Sequence, residues 1–505
     1  MAPPTTELPS NLDEVDVIIA ALLVIYPALF LSNLMPTSNR TLFYKGRSET
    51  QLEGREIETY HGTGSSETHG DCGPIHVSPG TFVVTRSEQD FIQAAAQLGW
   101  PEATDLMDLD TNNAVYRNLR TISPSGLRQD AAHCYLHPRL SNGKHPNLHV
   151  LVEHQVLRVL FDNKRAVGVE LEPNPRLQGD STRSVQIVRA RKMVVVSSGA
   201  LGTPLVLERS GVGDPEILGR AGVEVVADVP GVGRNYMDHH LLTYPYKSSL
   251  LPEETLDALY GGRVDIETLI QTNDKMLGWN AADVTSKVRP SDADVATLGP
   301  AFQDAYPGDP AGLEPAQFIS VSTFTLYPYS RGHIHITGPK VSDTIDFQTG
   351  FFSDAGNVDI KKALWAYKKQ REIFRRMDIY RGEWAPGHPP FPAGSAAASL
   401  GPDSGQGPLS DVKDIVYTPE DDAVIEKWLR EKVGSTWHSM GTCRMAPREE
   451  TGVVDGSLSV YGVDRLKVVD LSIAPDNVAA NTANTAFAIG EKAADLIIEE
   501  LGLRR

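Results

Sequence analysis

Residues 193–213 read MVVVSSGALGTPLVLERSGVG and contain the clearest structural pattern in the chain. The apolar run at their start is short and uninterrupted, as in strands that are buried on both faces of a parallel sheet. Gly199 then supplies a turn, Thr203 can cap a helix, and Pro204 suits the first helical position. The expected order is therefore a strand, a glycine turn and a short helix that ends at Gly211.

Segments on both sides extend this alternation of strand and helix. Residues 14–20 (EVDVIIA) predict a first strand, and residues 148–161 and 165–171 predict a hairpin. Residues 466–470 (LKVVD) predict another strand, and residues 481–501 carry the apolar stripe of an amphipathic helix. The sequence therefore predicts an α/β fold.

Composition and charge narrow the class of protein. The chain has 505 residues, which is long enough for one large domain or two closely joined domains. Its 41% hydrophobic and 22% charged residues are typical of a globular protein. Lys and Arg total 47 against 65 acidic residues, for a net charge of −18, and no basic cluster could follow a phosphate backbone. We therefore expect no nucleic acid partner.

The sequence shows no clear targeting signal, and we therefore expect a cytoplasmic protein with no membrane partner. The apolar segment 17–31 is short, contains Pro27 and follows acidic residues, so it predicts a buried strand and its neighbour rather than an anchor. The last residues, LGLRR, do not form a peroxisomal signal.

Cysteine and histidine usage predicts no metal site. Cys72, Cys134 and Cys443 form no C-x-x-C pair, which suits a reducing compartment. His239 and His240 are adjacent, and neighbouring residues on a strand face opposite sides of a sheet, so they could not share an ion. We interpret this histidine pair as structural.

Several motifs identify a family. Residues 199–213 resemble the second signature of the glucose-methanol-choline (GMC) oxidoreductases, and the likeness continues in PGVGRNYMDH (230–239), TWHSMGTCRM (436–445) and NTANTAFAIGEKAADL (481–496). Within the family the chain most resembles fungal alcohol oxidases of the methanol-oxidase type, through DAAHCYLHP (130–138), YPYSRG (327–332) and WAYKK (365–369).

The resemblance implies a discontinuous, Rossmann-like FAD-binding domain joined to an α+β substrate-binding domain. The expected segments are a remnant of the N-terminal FAD-binding region (1–57), a substrate-domain segment (58–145), an FAD-binding segment (146–235), the main substrate-binding segment (236–426) and a C-terminal FAD-binding and catalytic segment (427–505).

The resemblance also implies oxidation of a primary alcohol to an aldehyde, in which a base removes the hydroxyl proton while a hydride passes to the flavin. His438 stands where the family has its base, and a histidine is suited to this role by its pKa near neutrality. Asn481 stands where the family has His or Asn; its amide can donate a hydrogen bond to the forming alkoxide but cannot take the proton.

Cofactor and partner assignments follow from the same likeness. FAD is the implied cofactor, and the partners are a small-molecule alcohol and oxygen or another electron acceptor. The family places Cys443 in packing and sets the following residues against FAD: Val156 at the adenine, and Ser198, Trp437, Asp470 and Thr482 near the flavin. The identity of the alcohol (methanol-like, aryl or a secondary metabolite) and any homo-oligomer stay open.

Some of the family's FAD-binding sequence is missing. No glycine precedes Gly46, and residues 17–40 contain no Asp or Glu, so neither the glycine-rich turn nor the ribose-binding acid has a candidate. The family's second glycine-rich loop is absent near residues 57–58, and HGTGSS (61–66) predicts only a surface turn. The alternatives to an active enzyme are a catalytically silent relative that serves as a binding or scaffold protein, and a truncated gene product.

Overall fold

The computed structural model describes residues 5–8, 13–21, 73–107, 111–178, 184–260, 263–288, 318–398 and 412–503. Its strands, in chain order, are β1 (Glu14–Ala21), β2 (Ala114–Arg117), β3 (His154–Asp162), β4 (Arg165–Pro173), β5 (Gln186–Ser197), β6 (Val212–Gly213), β7 (Ala227–Asp228), β8 (His240–Ser248), β9 (Val284–Lys287), β10 (Phe318–Phe324), β11 (His333–Ile336), β12 (Ile345–Gln348), β13 (Tyr380–Glu383), β14 (Gly434–Ser435) and β15 (Leu466–Val468).

The α-helices, in chain order, are α1 (Thr85–Gln97), α2 (His137–Ser141), α3 (Pro175–Gln178), α4 (Gly199–Arg209), α5 (Pro215–Arg220), α6 (Asp257–Tyr260), α7 (Ile266–Thr272), α8 (Val358–Arg375), α9 (Pro419–Lys432) and α10 (Ala483–Glu500). Three features expected from the sequence lie outside the described residues: the chain that follows β1, the missing loop near residues 57–58 and the surface turn at 61–66.

A sheet of five strands is built on β5 within the described part of the chain. β1 and β15 run parallel to the carboxyl half of β5, and Val194 lies between Ile18 and Leu466. β4 pairs antiparallel with the amino half of β5, and β3 pairs antiparallel with β4. Val194, Val195 and Val196 have no exposed surface. The predicted buried strand, the hairpin and the α/β class are confirmed.

The start of α4 differs from the prediction. Thr203 and Pro204 do not open this helix, because it begins at Gly199, whose φ of +75° makes the turn after β5. Thr203 Oγ1 instead accepts a hydrogen bond from the N–H of Ser198 at 2.9 Å and donates one to Asp470 Oδ2 at 2.5 Å. The predicted cap was wrong because a distant carboxylate, on the chain after β15, engages the threonine.

Pro204 therefore lies inside α4, where it has no N–H to donate to the carbonyl of Ala200. Thr442 Oγ1 donates to that carbonyl at 2.6 Å and replaces the missing bond. Thr442 is fully buried, so the replacement is shielded from water. The contact joins α4 to the segment that follows His438.

Substituting Thr442 by valine, which keeps the shape, should lower the free energy of unfolding by about 1 kcal/mol because the Ala200 carbonyl loses its partner. Urea unfolding measures this change. Pro204→Ala restores a backbone N–H, so Thr442→Val should cost less in that background than in the wild type. An equal cost in both backgrounds would contradict the proposed replacement.

A second sheet in the described part of the chain has four strands, in the order β10–β8–β13 with β14 also paired with β8. α8 packs against α1 and α9 beside this sheet. Its core is rich in aromatic rings; Tyr246 stacks on Phe374 with ring centroids 4.3 Å apart. No helix in the described ranges is both long and apolar enough to span a membrane.

The pairing of β8 with β14 sets the position of His438. Leu241 pairs with Gly434 and His240 with Ser435, and a further bridge joins Met237 to Met440. Residues 237–241 and 434–440 therefore run antiparallel, and the second segment has two extra residues between the paired positions. His239 and His438 lie in this irregular stretch, where their side chains meet.

Candidate active site

Asp238 anchors the loop that carries His438. Its Oδ1 accepts a hydrogen bond from the His438 N–H at 3.1 Å, and its Oδ2 accepts from Ser435 Oγ at 2.5 Å and Tyr236 OH at 3.1 Å. Burial raises the pKa of the Asp238 carboxyl, and these donors act in the opposite direction by favouring the charged form. The carboxyl thus fixes the backbone on both sides of Trp437.

Trp437 adopts a backbone conformation that is uncommon for a large residue. Its φ is +57°, and its N–H donates to Ser435 Oγ at 2.8 Å, which helps to hold this conformation. The side chain is 83% exposed. The loop therefore turns His438 inward and Trp437 outward.

His438 is buried between two polar partners. Its Nδ1 lies 2.8 Å from Nδ1 of His239, and its Nε2 lies 3.4 Å from Nδ2 of Asn481. Burial lowers the pKa of His438 to about 4, and the neighbouring His239 acts in the same direction. The imidazole is therefore neutral at neutral pH and keeps a lone pair that can accept a proton.

Asn481 lies two residues before α10, not within it as expected from the sequence. Thr482 occupies the N-cap position without a side-chain cap, and the first turn has no acidic residue. The first N–H groups of α10 are therefore not satisfied by a capping side chain, and they form the positive end of the helix dipole. Asn481 is exposed, while Thr482 is buried.

Ser198 and Asp470 meet at the carboxyl ends of β5 and β15. Asp470 Oδ2 accepts from the Gly199 N–H at 3.0 Å as well as from Thr203, and its Oδ1 accepts from the Ser472 N–H at 2.7 Å. Ser198 Oγ donates to the carbonyl of Ala20 at the end of β1, at 3.2 Å. These two residues tie three strands together at the edge where dinucleotides bind in such sheets.

Val156 lies on β3, away from that edge, where it pairs with Leu171 next to a bulge and is partly buried. Cys443 is fully buried in the core of the first sheet, as expected for a packed residue, and burial raises the pKa of its thiol. Among the described residues, no three His, Cys, Asp or Glu side chains are placed to hold a metal ion.

A cavity of about 820 Å³ opens beside the His438 loop, within the described part of the chain. Thr436, Trp437 and Asn481 line it on one side. Aromatic side chains from the second sheet and its helices line the other, among them Phe324, Trp365 and Phe374. Polar and charged side chains, among them Asp283, Lys287 and Gln370, also line the cavity, so that it could bind a small molecule that has both apolar and polar parts.

The residues around this cavity fit the flavin end of the FAD that the motifs imply. The uncapped start of α10 suits an anionic group, no acidic side chain stands in its first turn, and Trp437 offers an exposed apolar face. The adenosine end has no comparable match in the sequence, since the glycines and the ribose-binding acid are missing after β1.

Comparison with known proteins agrees with the motifs. Residues 44–241 and 328–490 match the N-terminal and C-terminal models of GMC oxidoreductases. The alcohol oxidase of Candida boidinii is 35% identical over 89% of this chain and 77% of its own length. The chain belongs to the GMC oxidoreductase family. These matches confirm the predicted family and the class of oxidoreductase. Members of this family are FAD-dependent flavoproteins.

Solved structures share the fold. An FAD-dependent oxidoreductase from Chaetomium thermophilum has a TM-score of 0.72 and 24% identity, covering 91% of this chain and 80% of its own. A fungal aryl-alcohol oxidase has a TM-score of 0.65 and 22% identity, covering 94% of this chain and 82% of its own. The predicted architecture of FAD-binding and substrate-binding domains is thus confirmed.

Sequence reasoning missed the contact between His239 and His438. The interpretation of His239 as structural considered it only as half of a metal-binding pair with His240. In the structure, the ring of His240 packs against the rings of Phe351 and Phe352, whereas Nδ1 of His239 contacts Nδ1 of His438. The available signal was that His239 ends the motif 230–239, whereas His240 lies outside it.

Proposed function

We propose that this protein oxidises a primary alcohol to an aldehyde in an FAD-dependent reaction in which His438 accepts the hydroxyl proton. The observation that carries the proposal is the arrangement at His438, a neutral, buried imidazole whose Nε2 lies beside the amide of Asn481 next to a large cavity. The alcohol oxidases among its relatives support an alcohol as the substrate and oxygen as an acceptor.

The two side chains have complementary roles. His438 Nε2 is the atom placed to accept the proton, because its other ring nitrogen is engaged by His239. Asn481 Nδ2 can donate a hydrogen bond to the alcohol oxygen as negative charge develops there. Their separation of 3.4 Å is long for a hydrogen bond, which leaves both groups available to the same hydroxyl.

Bound FAD would supply the hydride acceptor, with its flavin near Trp437, Thr482 and the start of α10. The peptide N–H groups at this helix start would stabilise negative charge on the flavin. Val156, Ser198 and Asp470 retain the cofactor-binding roles proposed for them from the motifs, Asp470 by holding the Gly199 turn in shape.

The alternative is a silent relative that binds a partner without oxidising it; the missing glycines after β1 favour this reading. The visible absorption spectrum of the purified protein, recorded with and without added FAD, separates the two. Our proposal predicts flavin bands that stay with the protein on gel filtration and that a primary alcohol bleaches without oxygen. Failure to retain added FAD, or retained flavin that no alcohol in a series from methanol to aryl alcohols reduces, would refute it.

A further inference from the structure

His239 is buried, and both its ring face and its ring nitrogens have partners. It has no exposed surface, and its ring stacks on Phe324 with centroids 5.1 Å apart and an interplanar angle of 24°. Its Nε2 lies 2.9 Å from the carbonyl oxygen of Val478, and its Nδ1 lies 2.8 Å from Nδ1 of His438. Both ring nitrogens are therefore engaged, one by a carbonyl and one by the candidate base.

The charge of His239 follows from its surroundings. Burial lowers its pKa to about 4, although the carbonyls of Val478 and Leu326 favour the charged form. The nearby carboxylate of Asp238 accepts a hydrogen bond at Oδ1 from the backbone N–H of His438, and not from either imidazole ring. His239 is therefore a neutral imidazole with a single N–H.

The position of that N–H is determined by Val478. A carbonyl oxygen only accepts hydrogen bonds, and the Val478 oxygen lies 2.9 Å from Nε2, so we place the single proton of His239 on Nε2. Its Nδ1 then carries a lone pair and can only accept. For the 2.8 Å contact between the two Nδ1 atoms to be a hydrogen bond, His438 must donate it. His438 therefore carries its proton on Nδ1, and its Nε2 is bare.

We propose that His239 is a positioning residue that fixes His438 in the Nδ1–H tautomer and so makes Nε2 the proton acceptor. This inference rests on the proposed role of His438 as the base. The orientation of Asn481 is compatible with this tautomer, because its Nδ2 group, a donor, lies 3.4 Å from Nε2 of His438.

The contact between His239 and His438 also persists after His438 has accepted the hydroxyl proton. When the hydroxyl proton binds Nε2, His438 becomes an imidazolium, and its Nδ1–H continues to donate to the lone pair of His239. The His239 Nε2–H stays on the Val478 carbonyl, so no proton has to rearrange. A neutral imidazole stabilises the positive charge of the His438 imidazolium less than a carboxylate would. The pKa of His438 therefore stays low, and the imidazolium releases its proton readily.

Nitrogen NMR of protein labelled with ¹⁵N-histidine tests the tautomer directly, because protonated and bare ring nitrogens resonate far apart. A His438→Gln sample identifies the His438 signals. We expect a bare Nε2 and a protonated Nδ1 for His438 in the wild type. A protonated Nε2 in the neutral ring would overturn the proposal, whatever the activity of the protein.

Two substitutions of His239 separate positioning from packing. Phenylalanine fills the space and can stack on Phe324 but accepts no hydrogen bond. Asparagine is smaller, but its Oδ1 lies near the place of the histidine Nδ1 and can accept from His438. His239→Phe should populate the other tautomer and lower kcat by about 10–100-fold with little change in KM, whereas His239→Asn should keep the tautomer and most of kcat.

The outcomes distinguish this inference from the proposed function. An unchanged His438 tautomer in His239→Phe, or an equal loss of kcat in both folded variants, would overturn the role of His239. If His239→Phe fails to fold, the tautomer and kcat of His239→Asn decide, since loss of the Nδ1–H tautomer there overturns the proposal and its retention supports it. Full activity of His438→Ala would instead refute the base itself.

Discussion

Replacing His438 by alanine should lower kcat/KM for every accepted alcohol by about 100- to 10,000-fold, the usual range for loss of a general base. The remaining polar groups cannot substitute for it. Asn481 has no basic atom, and His239 has no exposed surface and has its Nε2–H on the Val478 carbonyl. Steady-state turnover, together with anaerobic flavin reduction in single-turnover mixing, measures the loss.

An exposed histidine provides the matched control. The side chain of His133 is 63% exposed, and His133→Ala should leave both rates unchanged. The flavin content of each variant must be compared first, so that a loss of cofactor is not mistaken for a loss of the base. Wild-type flavin reduction by His438→Ala would show that the proton leaves by another route.

The pH dependence provides a second check on His438. Its pKa is lowered to about 4, so the ring is already in the active, unprotonated form at neutral pH. In the wild type, kcat/KM should therefore be flat from neutral pH downward and fall only as pH approaches 4, where the base takes up a proton. A fall centred near the ordinary histidine pKa of about 6.5 would contradict the effect of burial.

Local patterns predicted the strands well because burial in this sheet follows directly from composition. The run at 193–196 is entirely apolar, and the structure places it between β1 and β15 with at most 1% of any side chain exposed. The hairpin of β3 and β4 follows equally from its turn residues. In each case the residues that decide the structure are neighbours in sequence.

Thr203 and His239 show why the remainder could not be predicted in this way. Thr203 resembles a helix cap until Asp470, 267 positions away, is known to accept a hydrogen bond from its hydroxyl. The role of His239 depends on its contact with His438, which lies 199 positions away and is brought close by the pairing of β8 and β14. The family motifs pointed to both segments, but only the pairing of strands shows which side chains touch.

Replacing Asp470 by alanine should cause the largest loss of stability among the site residues, about 3–5 kcal/mol, measured as a shift of the urea unfolding transition of the flavin-free protein. Three donors would lose their acceptor inside the core: the N–H groups of Gly199 and Ser472 and the hydroxyl of Thr203. Each buried donor left unpaired costs about 1–3 kcal/mol.

Asparagine and valine variants show whether these bonds, and not cofactor loss, cause the effect. Asp470→Asn keeps one oxygen, which can accept hydrogen bonds from Gly199 and Thr203, but its NH₂ group faces the Ser472 N–H and cannot accept from it. We therefore expect its free energy of unfolding to lie between those of the wild type and Asp470→Ala. Thr203→Val removes one donor and leaves the carboxyl in place, so it should cost about 1–3 kcal/mol. Because Asp470 and Thr203 share a bond, their combined effect should be smaller than the sum. Strict additivity, or an Asp470→Ala protein as stable as the wild type, would mean that the turn after β5 is held by the sheet alone.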